Sequence, residues 1–207
     1  MHGQAVLAGQ KHSELLLPMV QAVLAEAGLA LGQLDAIAVG QGPGSFTGLR
    51  IGCGVAQGLA FGAGLPVIEV ITLEAMAAHA LKDAAAGGAV ACIDARMNEV
   101  YAALYEKSAA GLREVLAPGL YAPVQAPLPP GDRAYIGCGS GFKGYADILA
   151  ERYAGRLARI EPELHPHAEA IAALAAIKWR AGEYVAAEAV EPLYIRDKVA
   201  LKTSERR

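Results

Sequence analysis

GQGPGSFTGLR, residues 40–50, is the most informative segment of this chain for its fold. It follows an uncharged apolar run, residues 36–40, which is typical of a buried parallel strand. The GPG tripeptide then turns the chain, and Ser45 stands where a helix N-cap belongs. A long apolar segment follows, and its pattern predicts a helix over residues 46–62. The stretch therefore joins a buried strand to a helix.

The same alternation continues along the chain. The apolar pattern predicts strands at 66–70, 90–94, 100–105, 114–121 and 134–137, with a short strand at 4–9 before the first helix. Helices are predicted from a Ser13 cap to Gly28, from a Thr72 cap to Leu81, over 142–153 and over 167–184. Alternating strands and helices indicate an α/β fold. We predict two related units, residues 1–83 and 84–207, with the tail of the second returning to the first.

Composition restricts the class of protein. The chain has 207 residues, 54% apolar and 19% charged, with a net charge of −3, which fits a folded globular protein. A weakly acidic chain has no basic field for RNA, so a role with RNA needs a partner. The first residues lack the pattern of a signal peptide, which predicts a cytoplasmic location. Cys53, Cys92 and Cys138 show no CxxC spacing and are predicted to be buried free thiols.

The predicted helix over 46–62 contains interior glycines, each of which costs roughly 0.5–1 kcal/mol relative to alanine. At 100° per residue, one side is predicted to face a sheet. That side carries Gly48, Ile51, Gly52, Val55, Gly58, Leu59 and Gly62. The opposite side carries Phe46, Leu49, Cys53, Ala56, Ala60 and Phe61. It needs a cover, which either the same chain or a partner protein supplies.

Two glycine-rich loops precede predicted helices. The first contains Gly42, Gly44 and Ser45, and the second contains Gly139 and Ser140. Helix N-termini favour anions, so these five residues are candidates for nucleotide or phosphate contact. Neither loop matches GxGxxG or a Walker motif, and a tight turn is the competing interpretation. Two such loops in two units suggest a duplicated domain with a cleft between the halves.

Catalytic and metal-binding patterns are weak. The loop serines do not fit a nucleophile motif, and His165 and His167 have no third ligand at a useful spacing. Asp94, Arg96 and Glu99 either line the cleft or form a solvated ion pair in a turn. We therefore predict no catalytic residue and no metal site.

Five segments together carry a family resemblance: HSELLLPMV, AIAVGQGPGSFTGLRIGCGVAQGLAF, LPVIEVITLEAMA, ACIDARMNEVYAALY and PLYIRDKVA. They resemble the TsaB family, also called YeaZ, of bacterial tRNA threonylcarbamoyladenosine biosynthesis subunits. The resemblance implies an actin-like, sugar-kinase-type fold of two α/β domains. It implies a role in supporting the paralogous catalytic subunit TsaD, with the ATPase TsaE, in modifying adenosine 37 of tRNAs that read ANN codons. Family members begin with two further strands, so the first domain is expected to lack two strands.

The resemblance also implies how the chain pairs. TsaB-like proteins pair through the first two helices of the N-terminal domain, with TsaD or with a second copy. The resemblance leaves two alternatives for this interface, one with bound ATP or ADP and one without a nucleotide. The interface residues expected on this basis are Leu15, Leu17, Met19, Phe46, Leu49, Arg50, Cys53 and Ala56.

The resemblance further argues against independent catalysis. Catalytic relatives hold a metal with an HxxxH pair just after the strand that corresponds to 66–70, and this chain has Thr72 and Met76 at those positions. We expect a non-catalytic scaffold without a cofactor of its own. The alternative is an ATP-binding transferase or kinase-like enzyme that uses the cleft between the domains. A metallopeptidase, suggested by older labels on the catalytic relatives, is disfavoured by the lost histidine pair.

Overall fold

The computed structural model describes residues 2–7, 9, 11–109 and 111–196. The first sheet consists, within these residues, of the parallel strands β1 (Ile37–Gly42) and β2 (Val67–Ile71). The register places Ile37 beside Val67 and Gly40 beside Val70. Both strands are uncharged except for Glu69, as a buried parallel pair requires.

Three helices follow the order predicted for the first unit. They are α1 (His12–Ala27), α2 (Phe46–Ala63) and α3 (Thr72–Leu81). Ser45 caps α2 as predicted, because its Oγ accepts a hydrogen bond from the Gly48 N–H at 3.4 Å. Thr72 does not cap α3 with its side chain. Its Oγ1 instead accepts from the Gly42 N–H at 3.1 Å, which ties the start of α3 to the end of β1.

The second sheet has, in the described part of the chain, five strands in the order β5-β4-β3-β6-β7. Their bounds are β3 (Gly88–Arg96), β4 (Glu99–Ser108), β5 (Gly111–Tyr121), β6 (Tyr135–Cys138) and β7 (Leu157–Glu161). Strands β3, β4 and β5 are antiparallel neighbours, whereas β6 is parallel to β3 and β7 is parallel to β6. Two short helices, α4 (Gly141–Gly144) and α5 (Ala146–Arg152), separate β6 from β7.

Two helices that contact each other pack on the two sheets. Leu73, Met76 and Leu81 of α3 are buried against residues of β3, β4 and β6, so α3 packs on the second sheet. The last helix, α6 (Ala168–Ala181), packs on the first sheet through Ala170 and Leu174. The predicted division at residues 83 and 84 falls between α3 and β3, but α6 lies on the side of the earlier unit.

Residues 185–196, which we call the strap, return to the first sheet. Val185 and Val67 exchange two backbone hydrogen bonds of 2.9 Å, and a short 3-10 helix, Ala187–Ala189, packs on α2. Farther along, the Leu193 N–H donates to the Gln41 carbonyl at 2.7 Å. The strap therefore crosses β1, β2 and α2.

Several predicted elements differ from the structure. Residues 4–7 and 9 do not form the expected strand, because no described strand offers them backbone partners. The first helix begins at His12, so Ser13 is not its cap. The predicted helix over 142–153 is broken at Tyr145, and β7 was not predicted because only Leu157, Ala158 and Ile160 in it are apolar.

Candidate interaction surface

One side of α2 is buried by the chain itself. Cys53, Ala56 and Ala60 have relative exposures of 3%, 5% and 0%, and they pack with Val67 of β2 and with Val190 of the strap. Burial, and to a smaller extent the charge of Glu69, raises the pKa of the Cys53 thiol. This thiol is therefore an apolar packing group.

The expected orientation of α2 is thus wrong. Cys53 and Ala56 were expected at a partner interface, whereas they face the first sheet and the strap. The reason is that small residues on this side let the helix lie close to both. The predicted cover exists, and the same chain supplies it.

The opposite side of α2 is open. Gly54, Gly58 and Gly62 are exposed, and a Cβ atom added at any of them would meet no atom of the described chain within 4 Å. Packing within the described chain therefore does not explain why these positions are glycine. Their helix-propensity cost is left without a compensating contact.

Helix α1 lies beside this open side. Leu15 and Met19 of α1 share a shallow depression with Ile51 and Gly52 of α2. Among the described residues, none of the sixteen residues of α1 is buried, and Leu17 is 43% exposed. A helix whose apolar side chains stay this accessible lacks the cover that a core helix normally has. We call Leu15, Leu17 and Met19 with Gly54, Gly58 and Gly62 the α1–α2 surface.

Phe46, Leu49 and Arg50 lie at the first two turns of α2, near the strap. Phe46 is 44% exposed, Leu49 is half-buried, and Arg50 is exposed. The Arg50 guanidinium carbon lies 3.8 Å from the Phe46 ring centroid, and Nε donates to the Tyr194 hydroxyl at 2.8 Å. These residues form a rim beside the α1–α2 surface.

The two glycine-rich loops meet at one cavity of about 460 Å³. Gly44, Ser45 and Ser140 line it together with apolar side chains, including Val39 and Ile93. No lysine or arginine is among its lining residues in the described chain. The structure brings the loops together, but phosphate contact stays a prediction.

Packing explains the other two loop glycines. A Cβ at Gly139, whose φ is +104°, would lie 2.5 Å from the Cys92 carbonyl oxygen. A Cβ at Gly42, with φ at +123°, would lie 3.1 Å from the Leu193 carbonyl oxygen. The Ser140 Oγ already accepts a hydrogen bond from the Asp94 N–H at 3.1 Å. Close packing and a positive φ therefore explain why Gly42 and Gly139 are glycine.

Thr72 and Met76, at the positions where the resemblance implies a histidine pair in catalytic relatives, are both buried. His167 caps α6, since its Nδ1 accepts from the Glu169 N–H at 3.4 Å, and its ring stacks on His79 at 5.1 Å. Within the described residues, no three His, Cys, Asp or Glu side chains are grouped so that they could hold a metal ion.

The turn between β3 and β4 is an unusual feature. Arg96, Met97 and Asn98 have φ angles of 61°, 56° and 58°, a left-handed run that is costly for residues other than glycine. Asp94 stabilises the turn, since its carboxylate accepts from the Arg96 N–H at 2.8 Å and forms an ion pair with the Arg96 side chain at 3.2 Å. The predicted ion pair is present.

Arg196 completes this turn, and sequence reasoning missed both Arg196 and Tyr194. The Arg196 guanidinium donates to the Arg96 carbonyl at 3.3 Å and to the Glu99 carboxylate at 2.6 Å. Tyr194 and Arg196 are two residues apart on an extended segment. This spacing places two side chains on the same face, and it is the sequence pattern that could have identified them.

None of the helices in the described part of the chain is both long and apolar enough to cross a membrane.

Comparisons with known proteins agree with this architecture. The family model described as TsaD, tRNA N6-adenosine threonylcarbamoyltransferase, matches residues 6–203. The tRNA threonylcarbamoyladenosine biosynthesis protein TsaB of Haemophilus influenzae is 38% identical over 204 residues, which are 95% of this chain and 84% of that protein. The protein of the same description from Escherichia coli K12 is 39% identical, over 95% of this chain and 85% of its own length.

Solved structures give the same result. YeaZ from Pseudomonas aeruginosa superposes with a TM-score of 0.83 at 40% identity and covers 89% of this chain and 84% of its own. A second structure, described as an uncharacterized protein with similarity to peptidase YEAZ from the same organism, has a TM-score of 0.82. The actin-like α/β fold and the resemblance inferred from the sequence are confirmed, and the chain belongs to the TsaB, or YeaZ, family.

Proposed function

We propose that this chain is a non-catalytic subunit of the machinery that makes N6-threonylcarbamoyladenosine in tRNA, and that it pairs with the catalytic subunit TsaD through its α1–α2 surface. Relatives of 38% and 39% identity carry the name of this biosynthesis, which supports the biological role. The paired complex, with the ATPase TsaE, acts in the cytoplasm on adenosine 37 of tRNAs that read ANN codons. The chain meets tRNA only through the complex.

One observation carries the proposed pairing: the α1–α2 surface is apolar and has no cover in the described chain. Gly54, Gly58 and Gly62 would let a second helix approach α2 closely, and the dispersion contacts so gained would offset the cost of the glycines. Met19 of α1 lies beside Ile51 and Gly52 of α2, and Leu17 adds exposed apolar area on α1. A self-complementary surface of this kind would also allow a homodimer, which would exclude TsaD from the same face.

The residues at the former metal positions support a non-catalytic role. Thr72 accepts a hydrogen bond from the Gly42 N–H and Met76 packs in the core, and although both line the cavity, neither side chain is a suitable ligand for a catalytic metal. We propose no cofactor for the isolated chain. Whether ATP or ADP binds between the two subunits stays a prediction, which a titration with TsaD in the presence of nucleotide tests.

Titration calorimetry of the purified chain with TsaD tests the proposal. Leu17→Asp places a charge on the α1–α2 surface and should weaken binding at least tenfold, on the order of the loss of a buried hot spot. Val124→Asp, at a 59% exposed apolar site elsewhere, is the matched control and should bind like the wild type.

The same titration separates the rival function. Wild-type binding to TsaD with no change in Leu17→Asp would contradict the proposed surface. Micromolar binding of ATP by the isolated chain, with turnover, would contradict the non-catalytic role and favour an enzyme of the interdomain cleft.

A further inference from the structure

Arg50 is held in a fixed orientation by two aromatic side chains. Its guanidinium carbon lies 3.8 Å from the Phe46 ring centroid and 5.7 Å from that of Tyr194. Its Nε donates to the Tyr194 hydroxyl at 2.8 Å, and the two rings are 5.9 Å apart. A stacked and hydrogen-bonded arginine has already lost much of its rotamer freedom, so a ligand need not order it.

The two terminal nitrogens of Arg50 have no acceptor in the described chain. Nε bonds to Tyr194, whereas no residue among 2–7, 9, 11–109 and 111–196 accepts from Nη1 or Nη2. No described carboxylate forms a salt bridge with Arg50, in contrast to Arg96, Arg113 and Arg196. Arg50 is also the only charged residue between Asp35 and Glu69. Its planar pair of donors is oriented but unused.

We propose that Arg50 binds a carboxylate of the partner protein, as a two-pronged fork on the rim of the α1–α2 surface. This inference rests on the proposed function and names the chemistry of the group that the partner presents. A fixed guanidinium fits a carboxylate with two parallel hydrogen bonds, which gives both energy and orientation. The positive charge of Arg50, which no described carboxylate pairs, supplies the electrostatic complementarity.

A protein carboxylate fits this rim better than an RNA phosphate does. The cavity beside the fork is lined by Phe46, Leu49, Tyr194 and the 57% exposed Met97. Arg96 and Arg196 also line it, but each is already paired with a carboxylate, of Asp94 and of Glu99. Aromatic residues, methionine and arginine are the types enriched at protein interfaces. RNA binding relies on several clustered cations, and this chain has a net charge of −3.

Tyr194 acts here as a positioning residue. It belongs to the strap, which is fixed one residue earlier by the Leu193 hydrogen bond to Gln41. The strap therefore holds the hydroxyl that orients the Arg50 fork.

Affinity measurements with purified TsaD test the inference. Arg50→Gln should weaken the complex roughly 10- to 100-fold, as expected for one charge-assisted, two-pronged hydrogen bond. Arg50→Lys keeps the charge without the planar fork and should lose less, and its advantage over Arg50→Gln should shrink in high salt, where the charge is screened. Tyr194→Phe keeps the ring and removes the acceptor, and should weaken binding severalfold through a faster off-rate. Arg180→Gln, at an exposed arginine in the last turn of α6, should bind like the wild type.

Carbodiimide cross-linking identifies the bound group directly. In the Arg50→Lys variant the introduced amine should form an amide with an aspartate or glutamate of TsaD, and mass spectrometry of the joined peptides locates it. The wild type, which has no amine at this position, is the control. Cross-links that join only peptides of this chain would overturn the inference.

The outcomes separate the two proposals. If Leu17→Asp weakens binding while Arg50→Gln binds like the wild type, the fork is wrong and the α1–α2 surface stands. If the wild type does not bind TsaD, the proposed function fails and the fork fails with it. If Arg50→Gln spares TsaD binding but lowers retention of tRNA by the isolated chain in a filter assay, the ligand is a phosphate and the carboxylate is overturned.

Discussion

Arg196 and Glu99 form an ion pair of 2.6 Å across 97 residues of sequence. Arg196 belongs to the strap, which rests on the first sheet, and Glu99 opens β4 of the second. The same guanidinium donates a hydrogen bond to the Arg96 carbonyl at 3.3 Å. This side chain therefore connects the two sheets at the left-handed turn.

Removal of this ion pair should destabilise the turn more than the rest of the chain. Arg196→Gln and Glu99→Gln should each lower the free energy of unfolding by about 1 kcal/mol, because Glu99 is 37% exposed and solvent weakens the pair. The double variant should cost less than the sum of the two. Urea unfolding measures the energies, and hydrogen exchange of the 96–98 amides should speed up in both variants. Additive energies with unchanged exchange would contradict a direct coupling.

Aspartate at Cys53 should act on folding and not on pairing. Cys53→Asp puts a carboxyl among Val39, Val67 and Val190, where no described group offers an ion pair, and should cost about 3 kcal/mol or more. Leu17→Asp, on the accessible surface of α1, should change the free energy of unfolding by less than about 0.5 kcal/mol. Thermal unfolding of both proteins checks the contrast. Equal melting temperatures would mean that the buried side of α2 is misassigned.

The sequence predicted the elements of the fold well where local signals were strong. Strands β1 and β2 are short, mostly apolar runs between turn residues, and Ser45 has the side chain that a helix start needs. The orientation of α2 was not predictable, because both of its sides are apolar or small. The strap, which lies more than 120 residues farther along the chain, decides which side is buried.

The candidate site was predicted only in part for the same reason. Leu15, Leu17 and Met19 lie on an accessible helix, and their place at an interface stays a prediction. The fork at Arg50 depends on Tyr194, which is 144 residues away. Thr72 shows a related effect: its local sequence favours a cap, but the hydroxyl accepts a distant N–H instead. Long-range partners overrode local preference in these cases.

Stability should fall in acid through Glu106. The Tyr135 hydroxyl at 2.5 Å, with Arg113 and Arg133, lowers the pKa of this buried carboxyl below its ordinary value of 4.5. A carboxyl with a lowered folded-state pKa contributes stability that is complete above the ordinary value and is lost as pH falls through the lowered one. Glu106→Gln should therefore be less stable than the wild type at pH 7, with a smaller difference at pH 3. Urea unfolding at both pH values measures this, and a constant difference would contradict the linkage.

Alanine at Gly58 should change folding and pairing in opposite directions. Gly58 lies inside α2 with open space where a Cβ would stand, so Gly58→Ala improves helix propensity and should raise the free energy of unfolding by about 0.5–1 kcal/mol. If a partner helix packs closely against this glycine, the added methyl group separates the helices and should weaken TsaD binding severalfold. Chemical unfolding and calorimetry on the same preparation provide the two measurements. Gly155→Ala, at a glycine with φ of +71° in a turn far along the chain, is the contrasting variant: it should lower stability through backbone strain and leave binding unchanged. A Gly58→Ala protein that is more stable and binds TsaD as tightly as the wild type would show that the glycine ridge does not meet the partner.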